Sequence, residues 1–302
     1  MDVLEFKELF CNKIATELVL PIEEVEIFLS ARLCLKHVLL DGAPGTGKTT
    51  LSKTLGNLSG GYRRIQMTPD MTPADIIGYE VYKPGSENLS EFKKGPVFSD
   101  FLLVDEINRA MPRTQSALLE AMEERKISIS GVDHLLSEKF LVVATRNPFD
   151  MDGTYLLPAS QRDRFGVCLY FKLAQGADLT SILKFGVEKP ENNSELKTLD
   201  FPTNKPWLNL SVSEDWYRIS EELQNFFVNN KEDGFVPVSV RAYSTWLEMS
   251  RCLSYLRKQE HLSMSCLRDL IVPVFLHRME PFGAENREEK LLNVFDKIIG
   301  KV

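Results

Sequence analysis

Val38-Leu39-Leu40-Asp41-Gly42-Ala43-Pro44-Gly45-Thr46-Gly47-Lys48-Thr49-Thr50 is the stretch that sets the fold of this chain. Val38–Leu40 is a short apolar run of the kind that forms a strand buried on both faces. Gly42–Thr49 matches the pattern GxxxxGK[ST] at every required position, and Thr50–Leu58 reads as the helix that follows. At average residue frequencies a chain of this length would show that pattern by accident roughly once in a hundred times. Gly42, Gly45 and Gly47, with Ala43, Pro44 and Thr46 between them, let backbone N–H groups curl around phosphate oxygens, and the helix N-terminus adds a favourable dipole. Lys48 is then placed to reach β- and γ-phosphates and Thr49 to hold Mg²⁺ by its hydroxyl, with Thr50 completing the segment. The stretch predicts a site for a nucleoside triphosphate.

Working outward, further apolar runs at Phe101–Val104, Phe140–Ala144 and Val167–Phe171 alternate with helical patterns such as Thr114–Arg125. Strand–helix alternation of this kind predicts an α/β fold around a parallel sheet. Ahead of it, residues up to about Leu35 read as two amphipathic helices broken at Pro21. After Phe171 the strands stop. Glu188–Lys205 is polar, contains Pro and Asn, and reads as a linker. Helical patterns follow: Ala242, Trp246, Met249, Leu253 and Leu256 in one, and Leu291, Leu292, Phe295, Ile298 and Ile299 in another. Pro273 is expected to break or kink the helix around Leu270–Phe275. The expected division is residues 1–187 as the α/β core, N-terminal helices included, and residues 188–302 as a smaller helical domain.

Phe101-Leu102-Leu103-Val104-Asp105-Glu106 is an apolar strand that ends in two adjacent carboxylates. Side chains alternate along a strand, so the two point different ways and can hold different roles. Asp105 is placed to bind the nucleotide's Mg²⁺, and Glu106 to polarise an attacking water as general base. A solvated strand end is the plainer alternative.

Composition agrees with a globular protein. The 302 residues carry 43 acidic and 36 basic side chains, a formal charge of −7, with 43% hydrophobic residues. The acidic balance argues against a generic DNA-coating protein, which needs a basic footprint, while leaving room for a local basic patch. Cys11, Cys34, Cys168, Cys252 and Cys266 are odd in number and form no CxxC pair, as expected of reduced core thiols. The four histidines make no metal-ligand spacing. The N-terminus lacks the basic flank and apolar run of a signal peptide, and no stretch approaches the length needed to cross a bilayer. A cytoplasmic protein without membrane insertion is expected.

Several segments taken together resemble the AAA+ ATPases, and within them the MoxR family. They are Arg64-Ile65-Gln66-Met67-Thr68-Pro69-Asp70, Val104–Ala110, Gln115–Met122, Ala144-Thr145-Arg146-Asn147-Pro148, and Gly153–Pro158 leading to Asp163-Arg164-Phe165. The likeness is close from about His37 to Phe171 and looser to about Leu256. It implies an AAA+ P-loop core with a C-terminal helical lid, and a Mg²⁺-dependent ATPase; adenine as the base comes from the resemblance alone.

The resemblance also implies roles. Asn147 matches the sensor-one position, where an amide can donate to the γ-phosphate or orient the lytic water; an Asn-Pro turn is the plainer reading. Arg164 matches the arginine finger that reaches a nucleotide held by a neighbouring subunit, with Arg162 as the competing candidate and ordinary surface ion pairs as the alternative for both. Arg241, opening the helix Val240–Leu256, matches the sensor-two arginine or is simply a helix-surface residue. Asn108 and Arg109 serve either subunit contact or helix capping. Arg146 stands where relatives carry an uncharged polar residue. The insert Asp70–Gly95 and a β-hairpin in Ile127–Phe140, turning at Gly131, are either client-contact elements or packing between subunits.

What the resemblance implies about function is a ring-forming ATPase, a hexamer, acting as a chaperone-like remodeller or activator of a protein client, with a von Willebrand A domain protein as partner. The competing classes are an AAA+ nucleic-acid motor, disfavoured by the acidic charge, and a nucleotide-gated assembly protein. Metal insertion into a macrocycle is a more distant relative's activity.

Overall fold

The computed structural model describes residues 1–82, 90–148, 153–172, 180, 182, 184, 201–231, 235–279 and 287–300. The boundary expected at residues 187/188, and most of the expected linker, lie outside the described residues.

Five strands, all parallel, form the central sheet: β1 (Val38–Gly42), β2 (Tyr62–Gln66), β5 (Phe101–Asp105), β8 (Leu141–Arg146) and β9 (Val167–Phe171), in the order β2-β5-β8-β1-β9. Every residue of β1 and β5 is buried, which is why these strands read as unbroken apolar runs. At the edge, β2 buries only Ile65 and presents arginine, tyrosine and glutamine elsewhere, so its sequence carries no such signal.

Alternating residues of each strand feed two apolar layers. Val38, Leu40, Leu103, Val143 and Leu169 face a large cluster with α1 (Val3–Ala15), α2 (Ile22–Leu33) and α3 (Lys48–Ser59). Leu39, Leu102, Val104, Val142 and Cys168 face a smaller one with α4 (Pro73–Ile77) and α5 (Pro112–Glu124). Apart from the central sheet stand two small antiparallel hairpins. β3 (Gly78–Tyr82) pairs with β4 (Ser90–Lys94) inside the expected insert, and β6 (Lys126–Ile129) pairs with β7 (Val132–Leu135) within the expected hairpin. The second turns on Ser130 and Gly131, at φ 51° and 81°, the left-handed pair that a two-residue hairpin loop requires.

A four-residue helix, α6 (Ala159–Arg162), precedes β9. The C-terminal helices are α7 (Glu214–Asn229), α8 (Val240–Leu256), α9 (Met264–Phe275) and α10 (Arg287–Ile299). Pro273 stands inside α9, which ends at Phe275 and tightens into the 3₁₀ turn Leu276–Arg278. Among the described residues these helices have no apolar core separate from that of the N-terminal helices. Trp246, Phe275 and Phe295 belong to the same cluster as Phe6 and Phe28, so the lid and the N-terminal helices share one face of the sheet. Glu26 of α2 reinforces the joint, ion-paired to Lys7 of α1 at 2.6 Å and to Arg257, just past α8, at 2.8 Å. No helix among the described residues is long and apolar enough to cross a membrane.

Candidate nucleotide site

The loop that leaves β1 and enters α3 is built on glycine. Gly45 and Gly47 sit at φ 79° and 89°, a left-handed backbone that residues with a Cβ rarely adopt, and Gly47 is the N-cap of α3. The twelve-residue helix thus points its unsatisfied N–H groups and positive dipole end at the loop. Thr46 Oγ1 donates to the Ala43 carbonyl at 2.8 Å, fixing the turn around Pro44. Lys48 Nζ is folded into it, donating to the carbonyls of Gly42 at 2.8 Å and Ala43 at 2.5 Å. Burial pulls this ammonium below its usual pKa, against the opposing pull of Asp41, Asp105 and Glu106. Thr49 lies beside it, and Thr50 is exposed on the following helical position.

Asp105, the last residue of β5, is buried and fully engaged. Its Oδ1 accepts from Thr49 Oγ1 at 3.2 Å and Thr145 Oγ1 at 3.3 Å, and its Oδ2 from Arg64 Nε at 2.7 Å. Glu106 follows at φ 54°, ψ 53°, a left-handed conformation for a residue with a side chain. Its N–H donates to Thr145 Oγ1 at 2.9 Å. One carboxylate oxygen, Oε2, takes both Gln66 Nε2 at 2.7 Å and Arg109 Nε at 2.9 Å. Arg109 is therefore a partner of Glu106 in its own chain. Asn147 directly follows β8, and its carbonyl accepts from Asn108 Nδ2 at 3.3 Å, tying it to the 3₁₀ turn after Glu106. Adjacent strands β5, β8 and β1 thus end in one constellation holding Asp105, Glu106, Asn147 and Lys48.

Arg146 pairs with Asp41, its direct neighbour across the β1–β8 register. Burial works against the charge on this guanidinium, and the hydrogen bond and charge of Asp41 more than offset it, raising its pKa. The unusual arginine therefore serves a buried ion pair beneath the loop.

The other predicted arginines lie elsewhere. Gly166 N donates to the His37 carbonyl and Val38 pairs with Val167, so Arg164 sits where β1 and β9 begin, while Lys48 lies beyond their far ends. Five residues of strand separate the two edges, about 16 Å. Arg164 Nε pairs with Glu123 at 3.2 Å. Arg241 pairs with the same carboxylate at 2.6 Å, so the lid arginine joins Arg164 instead of Lys48. Arg162 is buried and donates to the carbonyls of Leu157, His277 and Met279 at 3.0, 2.8 and 3.0 Å, as a strut between α6 and the lid.

Sequence reading assigned no role to Arg64, Gln66, Thr145 or Glu123. Arg64 and Gln66 had a usable signal: two polar residues spaced i, i+2 within a segment ahead of the acidic strand, as on one face of a strand. Glu123 had none.

Residues 37–167 match the model of the AAA family, ATPases associated with various cellular activities. The chain is 44% identical to chaperone MoxR1 of Mycobacterium tuberculosis over 182 residues, which is 58% of this chain but 47% of that protein. It is 32% identical to the uncharacterised protein YeaC of Bacillus subtilis over 266 residues, 86% of this chain and 79% of that one. The crystal structure of an inferred ATPase from Cytophaga hutchinsonii superposes with a TM-score of 0.77 at 25% identity, over 99% of this chain and 96% of that one.

Proposed function

The chain belongs to the MoxR family of AAA+ ATPases, and from that premise we propose that it hydrolyses ATP in a ring whose active sites are each completed by a neighbouring subunit. The observation that carries this reading is the separation of the site's parts. Lys48, Thr49, Asp105, Glu106 and Asn147 gather at one edge of the sheet, and Arg164 and Arg241 stand at the other. An arginine side chain extends about 7 Å, too short to cross a sheet of this depth. Placed on the triphosphate of a second copy, it would stabilise the charge of the transferring phosphoryl group, an effect worth about 10³–10⁵ in rate.

The chain's own residues have distinct tasks in this scheme. Loop N–H groups and Lys48 bind the β- and γ-phosphates. Thr49 and Asp105, with hard oxygens 3.2 Å apart, suit Mg²⁺, which takes one or two protein oxygens and completes its shell with water and phosphate. When bound, the ion would neutralise charge on the phosphate oxygens. Gln66 and Arg109 hold Glu106 through Oε2, and the carboxylate would accept a proton from the attacking water. Asn147 would orient that water or the γ-phosphate.

Arg241 takes a role from this geometry that differs from a lid sensor for its own nucleotide: it accompanies Arg164 to the neighbour. Chaperone-like action on a protein client, a hexameric ring and a von Willebrand A domain partner follow from the family and complete the proposal. The two hairpins, joined where the Phe92 and His134 rings lie 4.3 Å apart and where Ser130 Oγ donates to Glu80 at 2.9 Å, are the candidate client surface.

The test is phosphate release from ATP against protein concentration, with sedimentation on the same samples. Specific activity should climb as the assembly appears. Mixing Arg164→Ala with Lys48→Ala subunits, each inactive alone, should restore turnover; mixtures as inactive as their parts would remove the shared site.

A further inference from the structure

Glu123 lies in the last turn of α5, where the negative end of the helix dipole disfavours a carboxylate by roughly 0.3–1 kcal/mol. Its two oxygens are divided between two arginines from different parts of the chain. Oε2 meets Nε of Arg164, in the segment before β9, at 3.2 Å, and Oε1 meets Nη2 of Arg241, in the first turn of α8, at 2.6 Å. Asp163 supports the same joint. It accepts from Ser239 Oγ, the N-cap of α8, at 3.0 Å and from the buried Arg278 at 2.7 Å, and lies 3.8 Å from Arg241 Nη1.

Two guanidiniums repel each other, so an anion is needed to keep them side by side. The side chains of Glu123, Arg164 and Arg241 are 34%, 31% and 47% exposed, and ion pairs so exposed contribute little to stability. Arg164 meets Glu123 through Nε, and a guanidinium carries four further N–H donors on its two terminal nitrogens with which to address a second anion. Three arginines face two carboxylates here, so the cluster keeps a net positive charge.

We propose that Glu123 is a positioning residue that holds Arg164 and Arg241 as one two-guanidinium unit, presented to the triphosphate on a neighbouring subunit. This rests on the shared-site reading above. It adds that the spacing between the core arginine and the lid arginine is set by one carboxylate, Glu123.

The experiment compares Glu123→Ala, Glu123→Gln and Arg164→Ala as full-length chains, each alone and mixed with excess Lys48→Ala subunits. Sedimentation and thermal melting accompany each sample. Glu123→Ala should assemble and melt like the parent, with kcat about tenfold lower and KM for ATP nearly unchanged. Glu123→Gln, which keeps one carbonyl acceptor, should fall between the two and serves if the alanine variant folds poorly. Lys48→Ala subunits carry an intact Glu123–Arg164–Arg241 unit, so their addition should restore turnover to the Glu123 variants as it does to Arg164→Ala. Parental kcat in both Glu123 variants, beside an impaired and rescued Arg164→Ala, would overturn the role of Glu123 and leave the shared site standing. Impaired Glu123 variants that Lys48→Ala cannot rescue, while Arg164→Ala is rescued, would overturn it too, because the carboxylate would then act inside its own subunit. If Arg164→Ala itself is not rescued, the shared-site reading fails, and this inference with it.

Discussion

Glu106 is the residue where local conformation and chemistry conflict most openly. A left-handed backbone costs a residue with a Cβ about 1–2 kcal/mol, and Glu106 is held there by its N–H bond to Thr145 and by Gln66 and Arg109 on its carboxylate. The twist turns the side chain away from the alternation of β5, so Asp105 and Glu106 address different parts of one site. Gln66 comes from the neighbouring strand, in register with Asp105, and its amide is well placed to fix the carboxylate. Gln66→Ala should therefore lower kcat roughly 10- to 100-fold through misplacement of Glu106, with ATP affinity little changed. Glu106→Gln should lower it further, by about 10²–10⁴, while still binding ATP. Nucleotide binding by fluorescence and single-turnover hydrolysis separate the two steps. Weakened binding in Gln66→Ala, with hydrolysis of bound ATP unaltered, would place Gln66 in the phosphate site and not behind Glu106.

Among the elements, α6 and the residues just after it show what sequence could and could not disclose. Arg162 and Arg164 are two residues apart, with Arg164 the match to the arginine finger and Arg162 its competitor on sequence alone. Packing separates them: Arg162 is buried against three carbonyls of the α6 segment and the lid, and Arg164 faces outward on Glu123. Arg162→Met should destabilise the fold by about 3–5 kcal/mol, since it strips three buried acceptors of their donor. Arg164→Ala should stay within about 1 kcal/mol of the parent while its hydrolysis collapses. Urea unfolding of both variants beside their turnover checks the assignment, and the reverse pattern would exchange their roles. The same logic governs the rest of the fold. Strands β1, β5, β8 and β9 were legible because they are buried on both faces. Strand β2 was not, because only Ile65 of its five residues is covered. The loop and the acidic strand end were legible because each is contiguous in sequence. The pairing of Glu123 with Arg241 joins residues 118 positions apart on exposed surface, and no periodicity records it.

For the molecule as a whole, two buried histidines tie its halves to the sheet and make its stability depend on pH. His37, directly before β1, accepts from the Val142 N–H at 2.9 Å through Nδ1 and donates from Nε2 to the Met122 carbonyl at 3.2 Å, linking β1, β8 and α5 in its neutral form. Burial, helped by the charge of Arg125, pushes its pKa down to about 3. His277 joins the lid to the entrance of β9 through the Phe165 carbonyl at 3.0 Å, and burial and the adjoining Arg278 push it well below the usual value too. An unfolded histidine titrates near pH 6.5, so below that pH the unfolded chain takes up protons that the folded chain refuses. The stability these groups allow is complete well above pH 6.5 and is lost as the pH falls toward their folded values, at about 1.4 kcal/mol per unit for His37. Glu26 and Glu248, whose ion pairs lower their pKa against the cost of burial, lose their contribution only below about pH 4.5. The interval between pH 7.5 and 5.5 thus brackets the unfolded histidine value and lies above the range of Glu26 and Glu248. Urea unfolding across it should show a loss of stability in the parent, about 1.4 kcal/mol of it from His37, and a smaller loss in His37→Gln. An unfolding midpoint that does not move between the two pH values would mean that both imidazoles are protonated without opening the fold, and that the joint around β1 is looser than its hydrogen bonds require. Because His37 directly precedes the strand that carries the phosphate loop, the same acid range should also release bound nucleotide, and a fluorescent ATP analogue would report that release alongside the unfolding curve.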